Sequence, residues 1–163
     1  MIIEVIKEAQ IRIVESLARE IWTEHYPPII GEAQVRYMLD KFQSEEVIAA
    51  QIRHEGFRYF LVEEGGEHIG YLGVQTKGEE LFLSKIYIRA DQRGKGWGKK
   101  ALYFIEDLAR KLNLRKISLT VNRKNTGSVN AYMKMGFINA GPVVQDIGSG
   151  FIMDDYRMEK IIG

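Results

Sequence analysis

The turn Arg93-Gly94-Lys95-Gly96-Trp97-Gly98 joins a β-prone run to a stretch of helical spacing, and it is where the chain is best equipped for chemistry. Closely spaced glycines let main-chain N–H groups approach a ligand, and the helix beginning there adds the positive end of its dipole, so the turn favours a phosphate. Arg93, Lys95, Lys99 and Lys100 supply formal charge to the same place. Isolated glycines more often make only a tight turn with a solvated basic face. A Walker A loop needs Ser or Thr after its Gly-Lys pair, whereas Gly98-Lys99 is followed by Lys100, and Arg93 stands where its first glycine belongs. The dinucleotide fingerprint is met locally by Gly96-x-Gly98-x-x-Ala101. About 20 residues on, however, the chain has Lys116 and Ile117 where an acid would hold a ribose.

The elements that position this turn are read from periodicity. Residues 2–6 form a strand, and Ile11, Val14, Leu17, Ala18, Ile21 and Trp22 recur at the steps of an amphipathic helix that Pro27-Pro28 is expected to stop. Residues 32–42 and 45–54 read as two more helices, the latter with Ser44 as N-cap and Glu45 and Glu46 in its first turn. From Phe57 the pattern becomes β: 57–63, 68–76 and 81–89, in hairpin succession around Gly65-Gly66 and Gly78. The third run is apolar on both alternating sets, which predicts a central strand covered on two faces. Behind the glycine turn comes a helix with the stripe Ala101, Leu102, Ile105, Leu108, Ala109 and Leu112. A strand at 117–121, a short helix at 126–135 and a strand pair at 137–145 and 151–161 complete an α/β (α+β) chain whose strands are mostly antiparallel.

Composition removes several function classes. With 163 residues, 45% hydrophobic and 28% charged, the chain suits one domain spanning 1–163. Lys and Arg number 23 against 22 for Asp and Glu, so nothing in the overall charge points to nucleic acid or an anionic membrane. Zero cysteines exclude disulfides, thiolate metal sites and a cysteine nucleophile, and fit a reducing cytoplasm. His25, His54 and His68 lack ligand spacing, so no metal is expected. Residues 1–8 carry acids inside their apolar stretch, unlike a signal peptide, and no apolar run reaches the roughly 18 residues of a membrane span.

Two ordered motifs carry a resemblance. Arg93-x-x-Gly96-x-Gly98 after a strand resembles the (Q/R)-x-x-G-x-(G/A) pyrophosphate loop of the GNAT family of N-acetyltransferases, preceded by Ile86-Tyr87-Ile88 where that family has its pantetheine-pairing strand. Asn122-x-x-Asn125-x-x-Ser128-x-x-x-Tyr132-x-Lys134-x-Gly136-Phe137 resembles the family's later motif, and the element order agrees over nearly the whole chain. The resemblance implies the acyl-CoA N-acyltransferase fold, a mixed sheet whose central strand and strand 117–121 run parallel but splay to admit coenzyme A, with acetyl-CoA as donor. It implies that Ile86, Tyr87 and Ile88 meet the pantetheine, that the amides of Arg93, Gly94, Lys95, Gly96, Trp97, Gly98 and Lys99 hold the pyrophosphate, and that Asn125 and Ser128 line the other side. Tyr132 corresponds to the family's usual general acid and also borders the cofactor. A phenol can protonate an expelled thiolate, and Ser128 and Tyr132, four apart, share a helix face behind Asn125 as N-cap. Orienting the sulfur without proton transfer is the other role open to it.

The acceptor side is less specified. An alkylammonium with a pKa near 10 must lose a proton before it attacks. Where certain polyamine-acetylating members carry an acid on the central strand, this chain has Ser84 then Lys85, which leaves the base open between relayed water and a carboxylate such as Glu24. Tyr26, between the first two helices, and Ser84 are the substrate-side candidates. The stretch Met153-Asp154-Asp155-Tyr156-Arg157-Met158 can offer carboxylates to a cation, although such charges usually sit on a solvated edge. The expected function is direct transfer of acetyl from acetyl-CoA to a primary amine of a small molecule, with the polyamine and diamine branch favoured, or of a peptide. A non-catalytic coenzyme A-binding module is the alternative. Nucleic-acid binding by the basic cluster and Trp97 would need a wider basic face, and exposed edge strands leave room for a homodimer.

Overall fold

The computed structural model describes residues 1–162. In chain order its elements are β1 (Ile2–Glu4), α1 (Glu8–His25), α2 (Pro27–Ile30), α3 (Glu32–Phe42), α4 (Glu45–His54), β2 (Phe57–Glu64), β3 (Glu67–Lys77), β4 (Glu80–Ile88), α5 (Trp97–Lys111), β5 (Lys116–Asn122), α6 (Thr126–Lys134), β6 (Ile138–Gly148) and β7 (Phe151–Ile161). The seven strands form one sheet in the order β1-β2-β3-β4-β5-β7-β6, with β4 in the middle as its composition predicts. Only β4 and β5 are parallel neighbours.

Apolar side chains fill both faces of this sheet. The stripe of α5, with Trp97, Ala101, Leu102, Ile105 and Leu108, packs on Leu72, Val74, Leu83 and Leu119. On the other face α1, α3 and α4 bring Val14, Ala18, Ile21, Val35, Leu39 and Ile48 against Leu61 and Tyr71. Each large aliphatic side chain so buried contributes about 1.5–3 kcal/mol.

Pro27 and Pro28 do end α1, which stops at His25, and they also form the first turn of the short α2, where no N–H is needed from them. Two local readings are corrected. The first strand stops at Glu4. The penultimate strand starts at Ile138 and runs to Gly148, leaving Phe137 outside it and buried in the α5 core.

The feature that shapes the rest is the short β4–β5 ladder. These strands pair only at Glu80↔Lys116, Leu81↔Ile117 and Phe82↔Ser118, whereas β3 follows β4 to Ile88 and β7 follows β5 to Asn122. Opposite β3, Lys85 faces Gly73 and Leu83 faces Val74, so Ser84 is an extra residue that bulges and bends β4. The joined end is clamped by charge. Arg157 lies 2.7 Å from Glu80, and Lys116 lies 2.6 Å from Glu159 and 3.4 Å from Glu80, tying β4, β5 and β7 together.

Just past the bulge, the Lys85 ammonium is buried without a carboxylate partner among the described residues. Its Nζ donates to the Phe42 carbonyl at 2.9 Å and to the Tyr59 hydroxyl, fastening β4 to the C-terminus of α3. Burial lowers its pKa from 10.5 to about 7. Below about pH 7 Lys85 is charged in both folded and unfolded chains; above that, up to 10.5, only the unfolded chain keeps the proton, so this group makes stability rise with pH. Urea unfolding of Lys85→Met is therefore expected to show a flatter rise between about pH 7 and 9.5 than the parent chain.

Gly70 on β3 faces the far end of β4. A Cβ there would strike the Tyr87 carbonyl and sit 2.7 Å from Ile88 Cδ1. Gly70→Ala is expected to cost about 1–3 kcal/mol and to lower the thermal midpoint by about 2–12 °C, measured by circular dichroism.

Candidate active site

Beyond Phe82 and Ser118 the two strands part, and the opening between them is a cavity of about 760 Å³. Leu83, Ser84, Ile86, Tyr87 and Ile88 line one wall, and Leu119, Thr120, Val121 and Asn122 the other. Arg89 N–H donates to the Ile69 carbonyl of β3 at 2.7 Å. Main-chain direction alternates along a strand, so the N–H and C=O groups of Ile88 and Ile86 point away from β3 and into the gap. The Arg93 guanidinium reaches the Ile88 carbonyl at 3.2 Å from the cavity rim.

At one end lies the glycine turn. Gly94 and Gly96 have φ of +77° and +83°, which side chains tolerate poorly, and Gly96 caps α5. The first helical bond runs from Lys100 N–H to the Gly96 carbonyl at 3.0 Å, and among the described residues the amides of Gly94 to Lys99 meet no protein acceptor. The start of α6 is similar: Val129 N–H bonds to Asn125 C=O, and the three amides before it are unpartnered within the described residues. Gly94, Gly96, Gly98 and Lys99 from one helix start, with Asn125, Gly127 and Ser128 from the other, line the same cavity, a cradle suited to an anion.

The side chains of Lys95 and Trp97 point elsewhere, while their amides remain in the turn. Lys95 bonds Gln92 at 3.2 Å and does not line the cavity. The Trp97 ring packs in the α5 core, and its Nε1 donates at the rim to the exposed Glu64 at 3.0 Å. Asn125 holds the N-cap position of α6 without a side-chain cap bond; it is buried beside His25 and Tyr26. Glu24 is exposed and outside the cavity.

Tyr132 also lines the cavity, its ring edge-on to Phe137 at 5.6 Å. Its hydroxyl has no hydrogen-bond partner among the described residues, whereas Tyr59 and Tyr71 donate theirs to Gln51 and Gln43. Burial, reinforced by Tyr26, pushes the phenol well above its usual range and keeps it protonated. Tyr26 packs on Trp22 at 4.4 Å and on Tyr87 at 6.3 Å, forming an aromatic wall that includes Tyr71. His25 lies 3.4 Å from Arg93; burial and that charge lower its pKa.

The same cavity is bounded as well by Gln34 and Met38 of α3 and by Met153 and Asp155 of β7. Asp155 is 6% exposed, and burial, with Asp154 beside it, raises its pKa to about 6 against a hydrogen bond from Thr120. The expectation of a solvated edge is corrected: β7 lies between β5 and β6, inside the sheet. The two-residue alternation of β7 separates the pair: Asp154 turns to Arg123 at 3.2 Å, and Asp155 turns inward with Met153. Lys134, on the helix that carries Tyr132, is a further lining residue that the motif named without assigning a role.

The arrangement suits a long ligand with an anionic end at the helix starts and a reactive group beside Tyr132. The model of the acetyltransferase (GNAT) family matches residues 15–137. An uncharacterized N-acetyltransferase of Bacillus subtilis is 28% identical over 126 residues, covering 74% of this chain and 87% of the relative. A spermidine N(1)-acetyltransferase of Thermoplasma acidophilum is 24% identical over 156 residues, covering 91% and 94%. The fold is shared with the PaiA N-acetyltransferase from Thermoplasma acidophilum solved in complex with coenzyme A, at a TM-score of 0.79 and 20% identity over 99% of each chain. With the family's motif residues placed around the parted strands, the chain belongs to the acetyltransferase (GNAT) family and takes acetyl-CoA as its donor.

Proposed function

We propose that this enzyme acetylates a primary amine of a small, cationic acceptor, of the polyamine or diamine class, while donor and acceptor are bound together. The observation that carries the reading is the cavity between β4 and β5, which is lined both by helix starts with unpartnered amides and by a buried carboxylate, Asp155, with aromatic side chains. Similarity to a spermidine N(1)-acetyltransferase over 91% of the chain supports the acceptor class.

The residues present fit the donor. The amides of Gly94 to Lys99 and the starts of α5 and α6 would hold its pyrophosphate, and the inward groups of Ile86 and Ile88 would pair with its amide-bearing arm as a strand would. When bound, acetyl-CoA supplies a thioester carbonyl that an amine can attack with loss of thiolate. Tyr132 would act at that sulfur. The phenol carries its proton throughout the working range, and burial, which raises its pKa, favours donating a hydrogen bond to the leaving group; transfer of the proton itself is driven by the basicity of the expelled thiolate. Tyr26 and Ser84 would border the acceptor.

Thiol release from acetyl-CoA, followed with a panel of polyamines, diamines, amino acids and N-terminal peptides beside calorimetry of the cofactor, tests this reading. Release is expected with the polyamines and diamines; binding without release for every amine would overturn it in favour of a coenzyme A-binding module. Tyr132→Phe is expected to lower kcat about 100-fold while leaving cofactor affinity and the thermal midpoint unchanged. Unaltered turnover across the pH range would remove Tyr132 from this role.

A further inference from the structure

Neither the glycine turn nor Tyr132 can take a proton from an ammonium, and the central strand offers Ser84 and Lys85 where an acid would serve. Lys85 is committed to Phe42 and Tyr59 and does not line the cavity. We propose that Asp155 is the catalytic base, pairing with the acceptor's primary ammonium and removing its proton before attack. The assignment rests on the reading of the acceptor as an amine.

Geometry carries it. Asp155 borders the cavity that Tyr132 borders, on β7 opposite Asn122 of β5, and it is almost wholly buried. Among the described residues no basic side chain pairs with it, whereas Asp154 next to it is paired with Arg123. A buried carboxylate without a cation is costly unless a ligand completes it. Its surroundings are otherwise neutral or acidic. Tyr26, between α1 and α2, faces it and stays protonated at neutral pH; Thr120 of β5 is the one neighbour that favours its charged form; Asn122 of β5 and Val143 of β6 are its strand neighbours. Gln34 and Met38 of α3, and Asn125 and Tyr132 of α6, supply the remaining lining there, while His25 is engaged with Arg93.

In the proposed step an N–H bond of the ammonium breaks, its electron pair stays on nitrogen, and an O–H bond forms at the Asp155 carboxylate. Solvent takes that proton when products leave. A carboxyl titrating near 6 is a stronger base than an ordinary aspartate and is still ionised at neutral pH. The same negative charge favours an ammonium over an uncharged acceptor of equal size.

Initial rates with acetyl-CoA and 1,4-diaminobutane, spermidine or Nα-acetyl-lysine, from about pH 5 to 9, test the assignment. Wild-type kcat/KM for the amine is expected to climb with pH and level off above about 6. Asp155→Asn preserves size and the Thr120 contact, and is expected to lose that acid limb with kcat/KM about 100-fold lower, KM for acetyl-CoA and the thermal midpoint holding. Asp155→Glu restores a carboxylate and should recover the limb. An Asp155→Asn enzyme within about threefold of wild type, with the limb intact, overturns the assignment and leaves the transferase standing. If none of these amines supports release, the acceptor reading is what fails. Calorimetry of 1,4-diaminobutane against 1,4-butanediol then decides for Asp155: diamine binding abolished by Asp155→Asn keeps the cation site, and absent or equal binding removes it.

Discussion

Two parallel strands that hydrogen-bond for three residues and then separate are the constraint on which this molecule is built. An interior strand with unpaired main-chain groups is ordinarily unstable, because buried N–H and C=O groups need partners. Here the separation is held from both sides. The Ser84 bulge bends β4, the charged group of Glu80, Lys116, Arg157 and Glu159 secures the joined end, and β3 and β7 keep each strand fully paired on its outer edge. The two helices that follow the parted strands, α5 and α6, consequently begin at the mouth of one cavity.

The two most perturbed charges in and beside this opening show burial used in different ways. Lys85 lies on the helical face of β4, where its ammonium answers the C-terminal carbonyl of α3 and a phenol; its role is to hold the bent strand against the helices. Asp155 is buried to a similar degree and has only a threonine. A partnered group stabilises its surroundings, and a group whose partner is missing marks where one is to arrive.

Sequence patterns revealed the elements that depend on local chemistry. The α5 stripe, the Ser44 cap and the central place of β4 follow from spacing and turn residues, and the glycine turn and the Asn122-to-Phe137 block mark both helix starts. What stayed hidden depends on tertiary direction. Nothing in Trp97 itself says that its ring joins the core through Glu64, and two adjacent aspartates look alike until the pleat of β7 sends one to Arg123 and the other inward. Likewise the partners that make the burial of Lys85 tolerable, the Phe42 carbonyl of α3 and the Tyr59 hydroxyl of β2, come from elsewhere in the chain and leave no trace in the residues around it.

The three-residue ladder also has a mechanical meaning. It divides the sheet into two leaves, β1 to β4 and β5 to β7, that share main-chain bonds over three residues. Side chains supply the rest of the bracing: the α5 stripe packs on Leu83 of one leaf and Leu119 of the other, and α3 donates from Gln34 to the Ile152 carbonyl at 3.0 Å and from Tyr37 to the Ile147 carbonyl at 2.6 Å. The helical layers therefore act as spacers, and the width of the slot is a property of the packed core as much as of the ladder.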